Sequence, residues 1–147
     1  MSNSIIDENA DSRGRLAAFI QRLTDEELNH PMDAGWTVGG ILAHIAFWDQ
    51  RAVVLLRKWK QDGIAPSPID TDIVNEATRK LCLSIPPDIA VQLVLTSVLE
   101  IDREIEQLDA EALSEVETTG KTVRLNRALH RGEHVAQIER VLAQAKQ

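Results

Sequence analysis

The stretch Val38–Lys60, VGGILAHIAFWDQRAVVLLRKWK, decides the fold. Ile41, Ile45, Trp48, Ala52, Leu55 and Trp59 fall at alternating steps of four and three residues, which sets them along one side of an α-helix. A seam of that kind belongs to a long helix packed in a bundle. Thr37 stands just before it, where a hydroxyl can cap the first turn, and Asp62-Gly63 stops it. His44 flanks the seam, about 60° around the helix from Ile41, so its imidazole can reach the interior.

Helical spacing recurs on both sides. Upstream, Leu16, Phe19, Ile20 and Leu23 form the stripe of a helix from about Ile5 to Leu23. Thr24-Asp25-Glu26-Glu27 then reads as a capping box opening a short helical turn that ends before Pro31, with Asp33-Ala34-Gly35 as loop. Downstream, Ala65-Pro66-Ser67-Pro68 is an extended linker, followed by a short helix from Asp72 to Leu83. Pro86-Pro87 can open the next helix, where Val91, Val94, Val98, Ile101, Ile105 and Leu108 repeat the four-three spacing. The polar run Glu115 to Lys121, with Gly120, reads as the last connection, and the final helix as Val123 to about Gln144. The expectation is an all-α chain: one domain over residues 1–147, a four-helix bundle with a long crossover connection and a short extra helix.

Composition narrows the function. The 147 residues are enough to bury one core, and 44% hydrophobic beside 27% charged residues is ordinary for a globular protein. Only 3% are aromatic and none is tyrosine, which favours an aliphatic helical core over a sheet. A formal net charge of -7 disfavours a nucleic-acid surface. No run approaches the ~20 apolar residues of a membrane span, and the polar, acidic start lacks an export leader, so a cytoplasmic protein is expected. With one cysteine, Cys82, no internal disulfide and no cysteine cluster for zinc can form. Any metal site must use histidine and carboxylate.

His130 and His134 lie four apart in the last helix and share a face with Ile138, Val141 and Ala145, so both rings are expected to point inward. Two neutral imidazoles aimed at one spot make half of a transition-metal site. The third ligand that fits is His44, although periodicity alone favours a core histidine bonded to a carbonyl. Imidazole ligands suit zinc, nickel, iron or copper, with geometry and availability deciding among them; zinc or nickel is the expectation.

Specific residues then add a resemblance. Gly35-Trp36-Thr37-Val38-Gly39-Gly40-Ile41-Leu42-Ala43-His44-Ile45-Ala46-Phe47-Trp48-Asp49 resembles the Trp-Ser/Thr-Val and Leu-Ala-His-Ile segment of the DinB-like superfamily. Asn75-Glu76 and His130-Arg131-Gly132-Glu133-His134-Val135-Ala136-Gln137-Ile138 are similar to its later signatures, in the same order. The resemblance implies a four-helix bundle, often dimeric, with His44, His130 and His134 holding a divalent metal. Its members include thiol-dependent S-transferases and the mycothiol-dependent maleylpyruvate isomerase. By that analogy the protein is a metal-dependent transferase or hydrolase in which the metal activates a thiol or a water. A small-molecule substrate, a low-molecular-weight thiol and a homodimer are the implied partners. The competing reading is a non-catalytic metal-binding or metal-free helical dimer acting as a binding or stress-response module. Two positions depart from the pattern: the often aromatic position 131 is Arg, and Gly132 sits within a helix at a cost of ~1 kcal/mol relative to Ala. Both departures are expected to alter the surroundings of the pocket and to leave the ligands in place.

Other residues have plainer readings. His30 precedes Pro31 and reads as a loop residue. Glu133 points about 100° from His134 and reads as an exposed charge, with a proton acceptor beside the metal as the sharper alternative. Trp36, Trp48 and Trp59 read as packing residues, the first two also suited to a pocket mouth. Asn75 and Glu76 can cap a helix or fix the crossover, and Cys82 reads as an inert buried thiol.

Overall fold

The structure, a computed structural model, describes residues 2–119 and 123–147. Its regular elements are all helical: α1 (Ser2–Gln21), α2 (Asp25–Leu28), α3 (Val38–Asp62), α4 (Thr71–Leu83), α5 (Pro87–Glu106), α6 (Ala110–Thr119) and α7 (Ala128–Ala145). α3 packs against α5, α4 and α7, and α1 against α5 and α7.

The boundaries follow from local chemistry. Thr24 accepts from the Glu27 amide while the Glu27 carboxylate accepts from the Thr24 amide, closing the expected capping box. The Thr37 hydroxyl accepts from the Gly40 amide at the start of α3, and Asp70 caps α4 through Ile73. Gly40 makes a close approach there, since a Cβ would lie 3.0 Å from the Leu83 side chain and 3.1 Å from the Thr37 hydroxyl and would press on both.

Two expectations about the last quarter of the chain need correction. Residues 115–119 belong to α6, which Asp109 caps through the Ala112 amide and which buries Leu113 and Val116 at helical spacing; the polar residues between them are its solvent face. Gly120 and Lys121 lie outside the described residues. The last helix starts at Ala128 and not at Val123, because Leu125 is pulled into the core by the non-helical segment before it.

The core is apolar at both ends and charged in the middle. One cluster holds Leu16, Phe19 and Ile20 of α1, Val38 to Ile45 of α3, Val94 and Val98 of α5, and Ile138 and Leu142 of α7. A second holds Ala52, Val53, Leu55, Leu56 and Trp59 of α3 with Ile101, Ile105, Leu113, Val116 and Leu125. Between them along the four long helices stand the buried polar residues Asn9, Ser12, Asp49, Asp102, Arg127 and Arg131. Arg131, one of the two departures expected to alter the surroundings of the pocket, belongs to this layer and not to the wall of the histidine cleft. It is 1% exposed and donates to both Asp102 carboxylate oxygens at 2.7 and 3.1 Å, to the Asn9 carbonyl and to the Ser12 hydroxyl. Arg13 reaches the same carboxylate at 2.6 Å.

The buried line of α7 is therefore Arg131, Ile138 and Leu142, turned about 80° from the centre of the His130–His134 face. Val141 is half-buried and Ala145 exposed. The two histidines face sideways into a cleft and not straight into the core.

Removing one partner of a buried pair leaves the other charged and unsolvated. Arg131→Met is expected to lower the unfolding free energy by about 3–5 kcal/mol in urea denaturation, and the double variant Arg131→Met/Asp102→Leu to recover much of that loss. An unchanged midpoint in Arg131→Met would show that the charged layer is not a stability element. Gly132 is exposed, and a Cβ there would meet nothing within 4 Å. Gly132→Ala should therefore raise stability by about 0.5–1 kcal/mol, read as an upward shift of the same midpoint.

Candidate metal centre

Two helices supply the site, and one polar residue of a third sets their register. Asn9 of α1 stands where α7 has no side-chain cap of its own: its Oδ1 accepts from the amides of Arg127 (2.9 Å) and Ala128 (3.2 Å), and its Nδ2 donates to the Leu125 carbonyl. This satisfies backbone donors that a helix start otherwise leaves orphaned. Arg127 then donates through Nε (3.0 Å) and Nη2 (2.6 Å) to Asp49 Oδ1 on α3. Burial pushes the Asp49 carboxyl upward, against the opposing pull of Arg127 and Arg131. Asp49 is five residues after His44 and Arg127 three before His130, so this ion pair fixes the histidines of the two helices opposite one another.

His44, His130 and His134 come together as the spacing suggested, each offering a nitrogen within 4.8 Å of the others. Ring centroids are 4.7 Å apart for His130–His134, 4.9 Å for His44–His134 and 5.6 Å for His44–His130. His44 is buried, with the edge of Trp36 against it at 5.4 Å; the other two are half-buried. Gln137 Oε1 lies 3.1 Å from His134 Nδ1. A carbonyl oxygen can only accept, so Nδ1 carries the proton and Nε2 keeps its lone pair. That Nε2 lies 3.1 Å from His130 Nε2, while His44 Nδ1 and His130 Nδ1 are buried with no hydrogen-bond partner among the described residues.

These features fit a metal. Nitrogens bound to one tetrahedral zinc at ~2.0–2.1 Å are about 3.3 Å apart, close to the separation of the two Nε2 atoms. Burial, then the charge of His134, lowers His44 to about 4. His130 falls to about 3, from burial first and then the charges of His134, Arg127, His44 and Arg131. His134 is lowered by burial against the opposing effects of Gln137 and Glu133. All three rings are neutral at pH 7, the state in which imidazole ligates.

The histidines line a cleft of about 430 Å³ with Trp48, Arg51, Thr71, Asn75, Arg124 and Arg127 among its walls. Trp48 Nε1 donates to Asn75 Oδ1 at 2.8 Å, which ties α4 to α3 and gives Asn75 the crossover-fixing role. Glu76 pairs with Arg79 on the surface. Glu133 is exposed and is not among the cleft walls. His30 stays apart, with Nδ1 2.8 Å from the Pro31 carbonyl. Cys82 is buried and its thiol is pushed up by that burial, as an inert core thiol should be. Trp59 is core. The sequence reading missed the arginines. Arg51 was legible, since it follows His44 by seven residues and so shares its face; nothing in the spacing marks Arg124.

The depressed values set a pH dependence for the metal-free protein. Unfolded, the histidines take up protons as the pH falls through about 6.5; folded, His44 and His130 resist until about 4 and 3. The unfolded state therefore binds more protons in that window, and stability falls as the pH drops from about 6.5 toward 4, by up to ~1.4 kcal/mol per pH unit per histidine. Urea midpoints measured from pH 7 to pH 5 should fall less steeply in His44→Gln than in the wild type; parallel slopes would contradict the burial of a neutral ring.

No curated protein and no solved structure matches the chain. The sequence does match the family profile described as the DinB superfamily over residues 9–143, a span that begins at the asparagine capping α7 and includes all three clustered histidines. The chain belongs to the DinB superfamily.

Proposed function

We propose that this protein is a metal-dependent enzyme of transferase or hydrolase type, with a divalent ion, zinc or nickel, held by His44, His130 and His134. One observation carries the reading: three neutral imidazoles from two helices converge within 4.8 Å on the wall of a cleft large enough for a small molecule. Three protein ligands leave a position open, the pattern of catalytic sites; structural zinc is closed by four. When bound, the ion would lower the pKa of a thiol or a water beside it toward neutrality and so supply a nucleophile. A low-molecular-weight thiol is the co-substrate we favour, by analogy with thiol-dependent relatives.

The chain's own residues prepare that position. Gln137 holds the His134 tautomer, the Asp49–Arg127 pair holds α7 against α3, and Trp48 with Asn75 fixes one wall. A four-helix bundle, and a homodimer in the cytoplasm, complete the proposal. The non-catalytic binding module remains as the second reading because no carboxylate lines the cleft among the described residues to act as general base.

Elemental analysis of untagged protein should find about one ion per chain. His44→Ala and His130→Ala should each abolish stoichiometric retention while remaining folded by circular dichroism, and Gln137→Ala should weaken metal affinity by about tenfold or more. A screen of small thiols with electrophilic acceptors then tests turnover. Absence of metal in wild-type protein under replete conditions would overturn the enzyme and leave the module; an ion retained in both alanine variants would overturn the ligand set.

A further inference from the structure

A second cavity, of about 210 Å³, lies where α6 meets the ends of α3 and α5, and among the described residues it shares no wall with the histidine cleft. Its apolar walls are Leu56 of α3, Ile64 and Leu108 of the segments that follow α3 and α5, and Ala112 and Val116 of α6. Ala112 stands one turn before Val116 on the same face of α6 and offers only a methyl group, so the helix leaves space over Leu56 and Trp59. Close-packed cores hold few voids larger than a water, and an apolar cavity of roughly 150 Å³ already admits benzene. Trp59 adds a polar demand to these walls. Its side chain is 6% exposed, an indole N–H can only donate, and no described residue accepts from it. Buried indole donors ordinarily find an acceptor, as that of Trp48 does in Asn75. The charged groups of the rim are engaged or in solvent: Glu104 pairs with Arg57, Asp109 caps α6 through the Ala112 amide, and Lys60 is exposed. A charged occupant would lose its hydration against the apolar walls, so the fitting occupant is neutral.

We propose that this cavity is a second binding site, for a small neutral organic molecule the size of a substituted ring, whose acceptor oxygen takes the Trp59 indole N–H while its apolar body covers Leu56, Ile64, Leu108 and Val116. The site uses neither the histidines nor a metal, so it stands or falls apart from the proposed enzyme.

The test follows the indole N–H signals of the isotope-labelled full chain by NMR during titration with acetophenone, which carries an acceptor oxygen, and with isopropylbenzene, which has nearly the same shape without one. Loss of a signal in Trp59→Phe identifies the Trp59 donor. Acetophenone should move that signal downfield and saturably, with a dissociation constant on the order of 1 mM or tighter, and isopropylbenzene should cause no such downfield displacement. The Trp48 signal, from a donor held by Asn75 beside the histidine cleft, should stay in place. Ala112→Leu fills the space and should weaken acetophenone by about tenfold or more, with the fold checked by circular dichroism; the smaller Ala112→Val should weaken it by a lesser factor. No saturable shift of the Trp59 signal in the wild type overturns the inference, as does a shift of Trp48 in its place, which would put the ligand in the histidine cleft. Equal affinity in wild type, Ala112→Val and Ala112→Leu overturns it too, and so does an equal downfield displacement by isopropylbenzene.

Discussion

The pair Asp49–Arg127 is the contact on which the site depends. It joins α3 to the first turn of α7 at 2.6 Å, with both side chains almost wholly buried. Such a pair contributes little net stability, because desolvating two ions offsets most of their attraction. Its value here is positional. Two helices packed only through aliphatic side chains can slide by fractions of a turn at small cost, but a bidentate contact to one carboxylate oxygen has a single register. That register sets His44 against His130 and His134, whose nitrogens tolerate little error if they are to share an ion.

The pair belongs to a layer. Asp102 gathers Arg131 and Arg13 on the far side, and Asn9 uses both ends of its amide to hold the start of α7. Apolar clusters close this layer above and below, so its hydrogen bonds lie in a low-dielectric interior where each is stronger and each loss dearer. The same interior keeps the three imidazoles neutral. One consequence follows for Gln137: with Nδ1 of His44 and His130 unpartnered among the described residues, it orients a histidine ring from outside the cluster.

Much of this was legible in the sequence where periodicity and local capping decide the outcome. Ile41, Ile45, Ala52, Leu55 and Trp59 marked the buried side of α3; Thr24, Thr37 and Pro87 marked helix starts; the histidine triad followed from spacing and the family resemblance. Legibility failed where tertiary contacts override a local rule. An arginine inside a helix reads as surface, and nothing near Arg131 shows that Asp102, twenty-nine residues earlier, awaits it. The start of α7 was misplaced because its cap comes from Asn9 on another helix, beyond the reach of any sequence window. α6 was lost because Leu113 and Val116 supply too few apolar positions to stand out from the polar run, although Asp109 signalled its beginning.

The cleft joins two kinds of polar group with different logic. The histidines are uncharged and become useful only to something that accepts lone pairs, whereas the arginines are charged at every working pH and recognise oxyanions. A divalent ion among the former would add to the positive field of the latter, since no carboxylate among the described residues stands on the walls to cancel it. Such a field would favour loss of a proton from a thiol or a water and would attract anions over cations. Both effects would arise from the lack of acidic side chains on this wall among the described residues of an acidic chain. The arginines and the histidines therefore share one wall, on which burial keeps the rings neutral while the guanidinium groups supply the positive charge.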